Sequence, residues 1–286
     1  MKTLLILIVL LPAFSFGQEM NEFIRDNSIE IPNAVELNDS LYSRFEDKNL
    51  IMIGEMHGTN EPGQLATGIT KLITEKEGSV SLGLEIARSE METFLQNPSE
   101  KTLRETRFFS KENEYGMNGK SWFNLIKSCM NDTNIHLFFL NNDREYAADM
   151  IKPDSVMYLQ VLRQKEKFPD EKIITLTGSV HNKLSVHGDQ VTMGYYLNQD
   201  SINYKSREIF SINNYYAEGT TLNNRGNGLE LRTIEFKESD FTRSVNFDDY
   251  LLFLDEKNST NYHCYWFTRE VTHSEALEKA ETFKKK

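Results

Sequence analysis

Short apolar runs alternate along the chain with longer stretches in which apolar residues recur every three or four positions. Four of these runs have the length of a strand: Leu50–Ile53, Val80–Ile86, Ile135–Leu140 and Lys172–Thr177. A continuous apolar run of this length is typical of a strand that is buried on both faces, as in a parallel sheet. The pattern therefore predicts at least four strands of that kind.

Helical patterns fill the intervals between the runs. Leu65–Ile73 has apolar residues at helical spacing, and Ser89–Lys127 is a charged stretch that predicts helices interrupted near 115–119. Glu145–Lys167 predicts one or two helices broken at Pro153. Because strand and helix alternate four times, we predict an α/β fold with a mainly parallel central sheet flanked by helices.

The last third of the chain has a different pattern. It contains three further predicted strands, a turn-rich segment between the first two of them, and a charged helix-like end. The predicted strands are Ile209–Asn213, Leu231–Phe236 and Tyr250–Leu254. The turn-rich segment is Gly219–Gly228, and the helix-like end is Ser274–Lys286. Since the chain has no internal repeat, linker or low-complexity tract, we expect residues 18–286 to form one α/β domain.

The N-terminus has the pattern of a secretory signal peptide. Lys2 precedes the apolar run Leu4–Leu11, and Pro12 and the small or weakly polar residues Ala13–Gly17 follow it. This predicts a signal peptide over residues 1–17 and a mature protein that is secreted or periplasmic. No cysteine lies at the expected cleavage zone, so we do not expect a lipoprotein anchor.

Composition narrows the class of protein. The 286 residues are 39% hydrophobic and 11% aromatic, enough for a large core rather than disorder. The net charge of −11 argues against a nucleic-acid partner, and no interior run approaches the roughly 20 apolar residues that stable membrane insertion needs. Two cysteines exclude a disulfide scaffold, but Cys129 and Cys264 could either pair or remain buried thiols. The oligomeric state stays open.

Polar side chains follow each of the four predicted strands. They are Glu55, His57 and Glu61 after the first, Glu85 and Arg88 at the second, Arg144 after the third and His181 after the fourth. In an open parallel sheet, ligands bind beyond the carboxyl ends of the strands. We therefore expect an active-site cleft at this edge, with Glu55, His57, Glu85 and His181 as catalytic residues. Glu61, Arg88 and Arg144 are the candidates for substrate binding.

Two kinds of chemistry suit these residue types. In one, the His57 imidazole accepts a proton from water, a carboxylate orients the ring, and His181 or an arginine stabilises the developing oxyanion. In the other, His and Glu hold a divalent metal whose bound water attacks. A structural interpretation is also open, in which Glu55 forms an ion pair with Arg88 or Arg144.

Several other activities lack their motifs. The chain has no Gly-x-Ser-x-Gly nucleophile elbow, and no dinucleotide-binding or P-loop glycine motif follows a strand. Trp122 and the pairs Tyr195-Tyr196 and Tyr215-Tyr216 are interpreted as packing residues.

Five blocks in order resemble the superfamily of erythromycin esterase-like, ChaN-like and Tiki proteins. The blocks are IMIGEMHGTNE (51–61), Leu82–Glu85, NDREYAADMI (142–151), ITLTGSVHNKL (174–184) with VTMGYYL (191–197), and FDDYLLFLDE (247–256). The resemblance implies an α/β fold with its site at the strand ends. It also implies that His57 is a general base beside Glu55, that Glu85 is a second acid, and that His181 positions water or stabilises the intermediate.

The branches of this superfamily differ in function, so three hypotheses follow. The first is a hydrolase that resembles erythromycin esterases, although the region after Leu197 lacks the long helical insertions associated with macrolides. The second is a ChaN-like envelope protein that binds haem without catalysis. The third is a Tiki-like metal-dependent protease. No cofactor is firmly implied, so a divalent metal and haem both stay open, and the expected partner is a small-molecule substrate or haem.

Overall fold

A computed structural model describes Glu19 and residues 21–110, 116–141, 152–224, 229–235, 249–255 and 259–277. The predicted signal peptide (1–17), Arg144 with the block Asn142–Ile151, and the predicted C-terminal helix beyond Leu277 lie outside the described residues. Within the described ranges, no helix is long and apolar enough to cross a membrane.

One sheet contains the nine strands found in the described residues. They are β1 (Ser28–Glu30), β2 (Leu50–Glu55), β3 (Val80–Ala87), β4 (Ile135–Asn141), β5 (Lys172–Gly178), β6 (Ile209–Asn224), β7 (Leu229–Glu235), β8 (Asp249–Phe253) and β9 (Cys264–Val271). Their order is β1-β8-β9-β6-β2-β5-β3-β4, and β7 pairs with β6 outside this path. The six strands from β9 to β4 are mutually parallel, which confirms the predicted α/β class.

Helices cover both faces of the parallel part. They are α1 (21–27), α2 (Asp39–Tyr42), α3 (Glu61–Glu77), α4 (Glu92–Gln96), α5 (Glu100–Arg104), α6 (Arg107–Ser110), α7 (Lys120–Cys129), α8 (Pro153–Lys167) and α9 (Met193–Gln199), with 3-10 turns at Arg88–Met91 and Ser206–Glu208. Ile53 packs in a core with α3 and α7, whereas its neighbour Met52 packs in a second core with α8 and α9. Because alternate residues of β2 enter different cores, the strand must be apolar throughout.

The register of β2 and β5 determines where the site forms. Glu55, the last residue of β2, lies opposite Gly178, the last residue of β5. The two strands therefore end at the same level of the sheet. The residues that follow them, including His57 and His181, begin at one edge.

The last third of the fold differs from the prediction in three places: β6 is longer than predicted, β9 was not predicted, and the first residues of the predicted C-terminal helix, residues 274–277, are not helical. The predicted strand Ile209–Asn213 continues to Asn224, so the first six residues of the predicted turn segment Gly219–Gly228 are strand. This polar extension pairs with β9 through Gly219 and Val271 and with β7 through Leu222 and Leu231. Backbone hydrogen bonds to two neighbours, rather than apolar periodicity, keep these residues extended.

The two cysteines do not pair. Cys129 ends α7, Cys264 begins β9, and both are buried free thiols. Burial raises the pKa of the Cys129 thiol to about 11, which keeps it protonated and unreactive at neutral pH.

Candidate active site

A buried carboxylate orients His57 at the end of β2. Glu55 is 2% exposed, and its Oε1 lies 2.5 Å from His57 Nδ1. The other carboxylate oxygen accepts a hydrogen bond of 2.9 Å from Trp122 Nε1. Trp122 is buried as a packing residue should be, but it also fixes the carboxylate. Both oxygens of Glu55 therefore have donors, and neither of these donors is Arg88.

The contact with Glu55 determines which nitrogen of His57 can act as a base. A carboxylate can only accept a hydrogen bond, so Nδ1 carries the proton and Nε2 carries the lone pair when the ring is neutral. Nε2 faces Gly178, where a Cβ atom would lie 3.0 Å from it. The backbone of His57 is also held: Thr221 Oγ1 donates a hydrogen bond of 2.9 Å to the His57 carbonyl, which links β6 to the loop after β2. The ring is thus held in place, and its basic nitrogen stays available.

The surrounding charges change the pKa of His57. Burial alone lowers the pKa of the imidazole, because a charged ring is poorly solvated there. The hydrogen bond with Glu55 and the charges of Glu55 and Glu85 outweigh burial and raise the pKa of His57 to about 8. The ring can therefore gain and lose a proton near neutral pH.

The second histidine, His181, follows β5 and contacts two carboxylates. Its Nδ1 lies 2.8 Å from Asp154 Oδ1, and its Nε2 lies 3.5 Å from Glu85 Oε1. Burial lowers the pKa of His181, but the hydrogen bonds and charges of Asp154 and Glu85 outweigh it and raise the pKa to about 10. At neutral pH His181 is therefore an imidazolium cation beside Gly178, which lies against both histidine rings.

Glu85 connects the two histidines. Its Oε2 accepts a hydrogen bond of 2.7 Å from the backbone N–H of Gly178, and Oε1 faces His181. Burial raises the pKa of Glu85, but the interactions with His181 and the charge of His57 outweigh burial and lower the pKa overall. Glu85 is therefore a buried anion that stabilises positive charge on both rings.

Asp154 belongs to this cluster, although sequence reasoning missed it. It is the second residue of α8 and 1% exposed, and it accepts hydrogen bonds from His181 Nδ1, Gln190 Nε2 and the backbone N–H of Met193. The predicted site residues all lie at strand ends, whereas Asp154 lies at the start of a helix. Its sequence signal is the Pro-Asp pair that begins α8, a common helix N-terminus.

The predicted substrate-binding residues lie in different surroundings. Glu61 begins α3, and its Oε1 accepts hydrogen bonds from the Thr272 N–H and hydroxyl at 2.8 and 2.6 Å. Burial raises the pKa of Glu61. Arg88 begins the 3-10 turn after β3 and is exposed, and Arg144 lies outside the described residues. The structure thus brings Glu55, His57, Glu85 and His181 together, whereas Glu61 contacts the segment after β9.

A pocket of about 230 Å³ opens beside this cluster. Its lining comes from the loops after β2 and β5 and from the middle of β6: Met56, Ser179, Asn213, Asn214, Tyr215 and Tyr216. Met56 lies between Glu55 and His57 in the chain, and Ser179 follows Gly178. The pocket therefore lies at the same edge of the sheet as the cluster, and its lining residues are chain neighbours of the site residues rather than the histidines themselves.

The residues do not fit a metal or haem as they are arranged. Over the described part of the chain, no three His, Cys, Asp or Glu side chains are grouped so that they could hold one ion. His57 and His181 both direct Nδ1 to a carboxylate, so only Nε2 of each ring could bind an ion, and Nε2 of His181 already faces Glu85 Oε1 at 3.5 Å. The pocket of about 230 Å³ is also smaller than the roughly 300–1,000 Å³ of pockets that enclose drug-sized ligands.

Gly178→Ala is expected to lower activity at this site. The new Cβ would lie 3.0 Å from Nε2 and 3.2 Å from Cε1 of His57, so the ring must move by a few tenths of an ångström. Since small displacements of a catalytic group are costly, we expect a loss of about tenfold or more in kcat/KM, measured by steady-state kinetics. Gly78→Ala is the control: it strains a residue with a left-handed φ of 88° at the opposite end of β3, so it should lower stability but leave kcat/KM unchanged. An unchanged kcat/KM in Gly178→Ala would contradict the contact.

Comparison with known proteins shows similarity only at the level of structure. No family model matches the sequence, and no curated protein is significantly similar to it. A solved structure of a succinoglycan biosynthesis protein has a TM-score of 0.67 at 9% identity, covering 92% of this chain and 99% of that one. A mutant of the erythromycin esterase EreC in its open conformation has a TM-score of 0.63 at 11% identity. The match covers 85% of this chain and 96% of that one.

A weaker similarity links the chain to a haem-binding protein. The structure of ChaN of Campylobacter jejuni with cofacially bound haem covers 62% of this chain and 86% of its own, with a TM-score of 0.42 and 11% identity. At these identities, the two higher-scoring structures show that this chain shares their fold, which agrees with the fold that the sequence resemblance implies.

Proposed function

We propose that this protein is a secreted or periplasmic hydrolase in which His57 activates water for attack on an ester or related carbonyl bond. One observation carries the proposal: the buried Glu55 carboxylate holds His57 Nδ1 and leaves Nε2 facing Gly178, beside a pocket. A base oriented by a carboxylate, with its second nitrogen available, is the arrangement that general-base hydrolysis needs.

The reaction needs only water and the substrate. Water transfers a proton to His57 Nε2 while its oxygen bonds to the carbonyl carbon, and the carbonyl electron pair moves to the oxygen. The resulting tetrahedral oxyanion then collapses, the bond to the leaving alcohol breaks, and His57 Nε2 returns the proton to the departing oxygen. Glu55 stabilises the imidazolium that exists between these two transfers.

His181 supplies positive charge near the reacting carbonyl. Its imidazolium lies against Gly178, as the His57 ring does, and Asp154 and Glu85 keep it protonated. A fixed cation at this position favours a transition state in which negative charge develops on the carbonyl oxygen. Glu85 and Asp154 therefore act through His181, and they need not contact the substrate.

The comparisons support this proposal only in part. One structure of the same fold belongs to an erythromycin esterase, which favours ester hydrolysis, but a shared fold does not determine a substrate. Substrate contacts by Glu61, Arg88 and Arg144, and export directed by residues 1–17, remain part of the proposal.

Activity is expected to increase with pH up to about pH 8. His57 must be neutral to accept a proton, and Glu55 and Glu85 raise its pKa to about 8 after burial has lowered it. Below this value kcat/KM should fall about tenfold per pH unit, as expected for a single essential base. A second decline is expected near the His181 pKa of about 10, where its cation is lost. A profile of kcat/KM against pH measures both the rise to about pH 8 and the decline near pH 10. If kcat/KM does not change as the pH passes 8, the role of His57 is contradicted.

The experiment that tests the function is hydrolysis of a panel of esters, lactones and peptides by the full chain. Turnover of esters that is unchanged by a chelator is the expected result. Turnover of peptides that a chelator abolishes would instead support a metal-dependent protease. If no compound is hydrolysed and added haemin gives a shifted Soret band, the protein would be a haem-binding protein and the proposal would be wrong.

A further inference from the structure

We infer that Ser274 is a positioning residue for the His57–Glu55 pair, because it links the two parts of the chain that hold this pair. The inference rests on the proposed hydrolase function, since it concerns the general base of that reaction. Ser274 lies in the short segment after β9 (residues 272–276) and is only 1% exposed. It therefore acts through its neighbours and not on the substrate.

Ser274 is hydrogen-bonded to both parts. Its backbone N–H donates to the Gly58 carbonyl at 2.8 Å, and its Oγ accepts a hydrogen bond of 3.0 Å from the backbone N–H of Ser121. Gly58 directly follows His57 in the chain. Ser121 directly precedes Trp122, whose indole holds the carboxylate that orients the base. One buried residue thus connects the loop of the base with the helix that fixes its carboxylate.

Further hydrogen bonds attach the segment after β9 to the same two parts. The Asn60 N–H donates to the Thr272 carbonyl at 3.0 Å, and the Lys120 N–H donates to the Glu275 carbonyl at 2.8 Å. Ser121 Oγ also donates to the Asn60 carbonyl at 3.1 Å, so α7 contacts the loop directly. Since buried backbone groups need such partners, the loop, the segment and the start of α7 form one connected unit.

Close packing makes this unit sensitive to a displacement of Ser274. A Cβ atom at Gly119 would lie 2.4 Å from Ser274 Oγ and 3.1 Å from its Cβ. Gly119 has a φ of −83°, so the contact with Ser274, and not the backbone conformation, requires glycine there. On the loop, a Cβ at Gly58 would lie 2.1 Å from the Leu222 carbonyl oxygen. The loop after His57 therefore has no room to adjust freely when its bond to Ser274 is disturbed.

Two variants test the link by different means. Ser274→Ala removes the acceptor of the Ser121 N–H, whereas Gly119→Ala displaces Ser274 by contact and deletes no hydrogen-bonding group. We expect kcat for the best ester of the panel to fall about tenfold in both and KM to stay within about twofold, because a small misplacement of the base affects the reaction and not substrate binding. Gly119→Ala keeps the test valid if Ser274→Ala fails to fold.

The NMR titration of His57 reports the link without turnover. Burial lowers the pKa of His57 and the contact with Glu55 raises it, so a looser contact should lower the pKa in both variants. Ser81→Ala is the control. Ser81 is buried at the start of β3, at the opposite edge of the sheet, and its Oγ also has two partners, Glu171 and Gln164. This variant should lose stability but keep the wild-type kcat and His57 pKa.

The outcomes separate the inference from the proposed function. If wild type hydrolyses no ester but the His57 pKa falls in Ser274→Ala and Gly119→Ala, Ser274 positions the pair and the hydrolase proposal is wrong. If esters are hydrolysed and both variants keep the wild-type kcat and His57 pKa, the inference is wrong. It is also wrong if kcat falls while the His57 pKa is unchanged, or if Ser81→Ala loses as much activity as Ser274→Ala.

Discussion

His57→Ala is expected to lower kcat/KM for ester hydrolysis by about 10²- to 10⁴-fold, the usual contribution of a positioned general base. The substitution removes the nitrogen that accepts the proton of water and leaves Glu55 and His181 in place. The side chain is partly exposed, so we expect the fold to survive, and circular dichroism and thermal unfolding check this. Steady-state kinetics with the best ester of the panel measures the loss.

The chain contains a matched control for this variant. His136 Nδ1 lies 2.8 Å from Glu171 Oε1, so it also forms a histidine–carboxylate pair, and its ring stacks on Phe168 with centroids 4.0 Å apart. This pair lies near the start of β4, at the opposite edge of the sheet. His136→Ala should therefore leave kcat/KM nearly unchanged. Equal losses in the two variants would mean that the effect comes from stability and not from a base at His57.

Asp154→Ala is expected to lower the free energy of unfolding by about 3–5 kcal/mol, the range measured when one partner of a buried ion pair is removed. The buried carboxylate accepts hydrogen bonds from His181, Gln190 and the backbone of Met193. Without it, the His181 cation has lost one anion, and two further donors have lost their acceptor. Urea denaturation should show a lower midpoint with an unchanged m-value.

Asp170→Ala is the control for Asp154. Asp170 is exposed in the turn after α8, so its replacement should change the free energy of unfolding by about 0.5 kcal/mol or less. Asp154→Asn keeps the shape and one acceptor oxygen and should lie between the two. A loss below about 1 kcal/mol in Asp154→Ala would mean that Asp154 does not hold His181 as described.

The central sheet could be predicted because two cores surround it. Strands such as β2 and β5 place alternate residues in the two cores, so their sequences are continuous apolar runs that are easy to find. Strands that are held mainly by pairing with other strands have a weaker apolar pattern in the sequence. β1 has only three residues, β9 mixes apolar and charged positions, and the end of β6 is polar. Their positions depend on neighbouring strands that are distant in sequence.

Part of the candidate site could be predicted for a similar reason. Parallel strands with a common register end together, so residues at their ends or just after them, such as Glu55 and His181, were expected to meet. Asp154 and the indole donor of Trp122 come from helices. The position of strand ends does not predict where those helices lie over the sheet. Arg88 was expected in the site, but its side chain is exposed, because the chain turns into a 3-10 helix at that residue.

The pKa of His57, measured in solution and by kinetics, tests the central claim most directly. The side-chain nitrogen signals of His57 can be followed by NMR against pH, alongside kcat/KM for the best ester. We predict that both give a pKa of about 8, and that Glu55→Gln lowers both together because it removes the charge that raises the His57 pKa. If the kinetic pKa stays constant while the NMR pKa of His57 falls in Glu55→Gln, His57 is not the base.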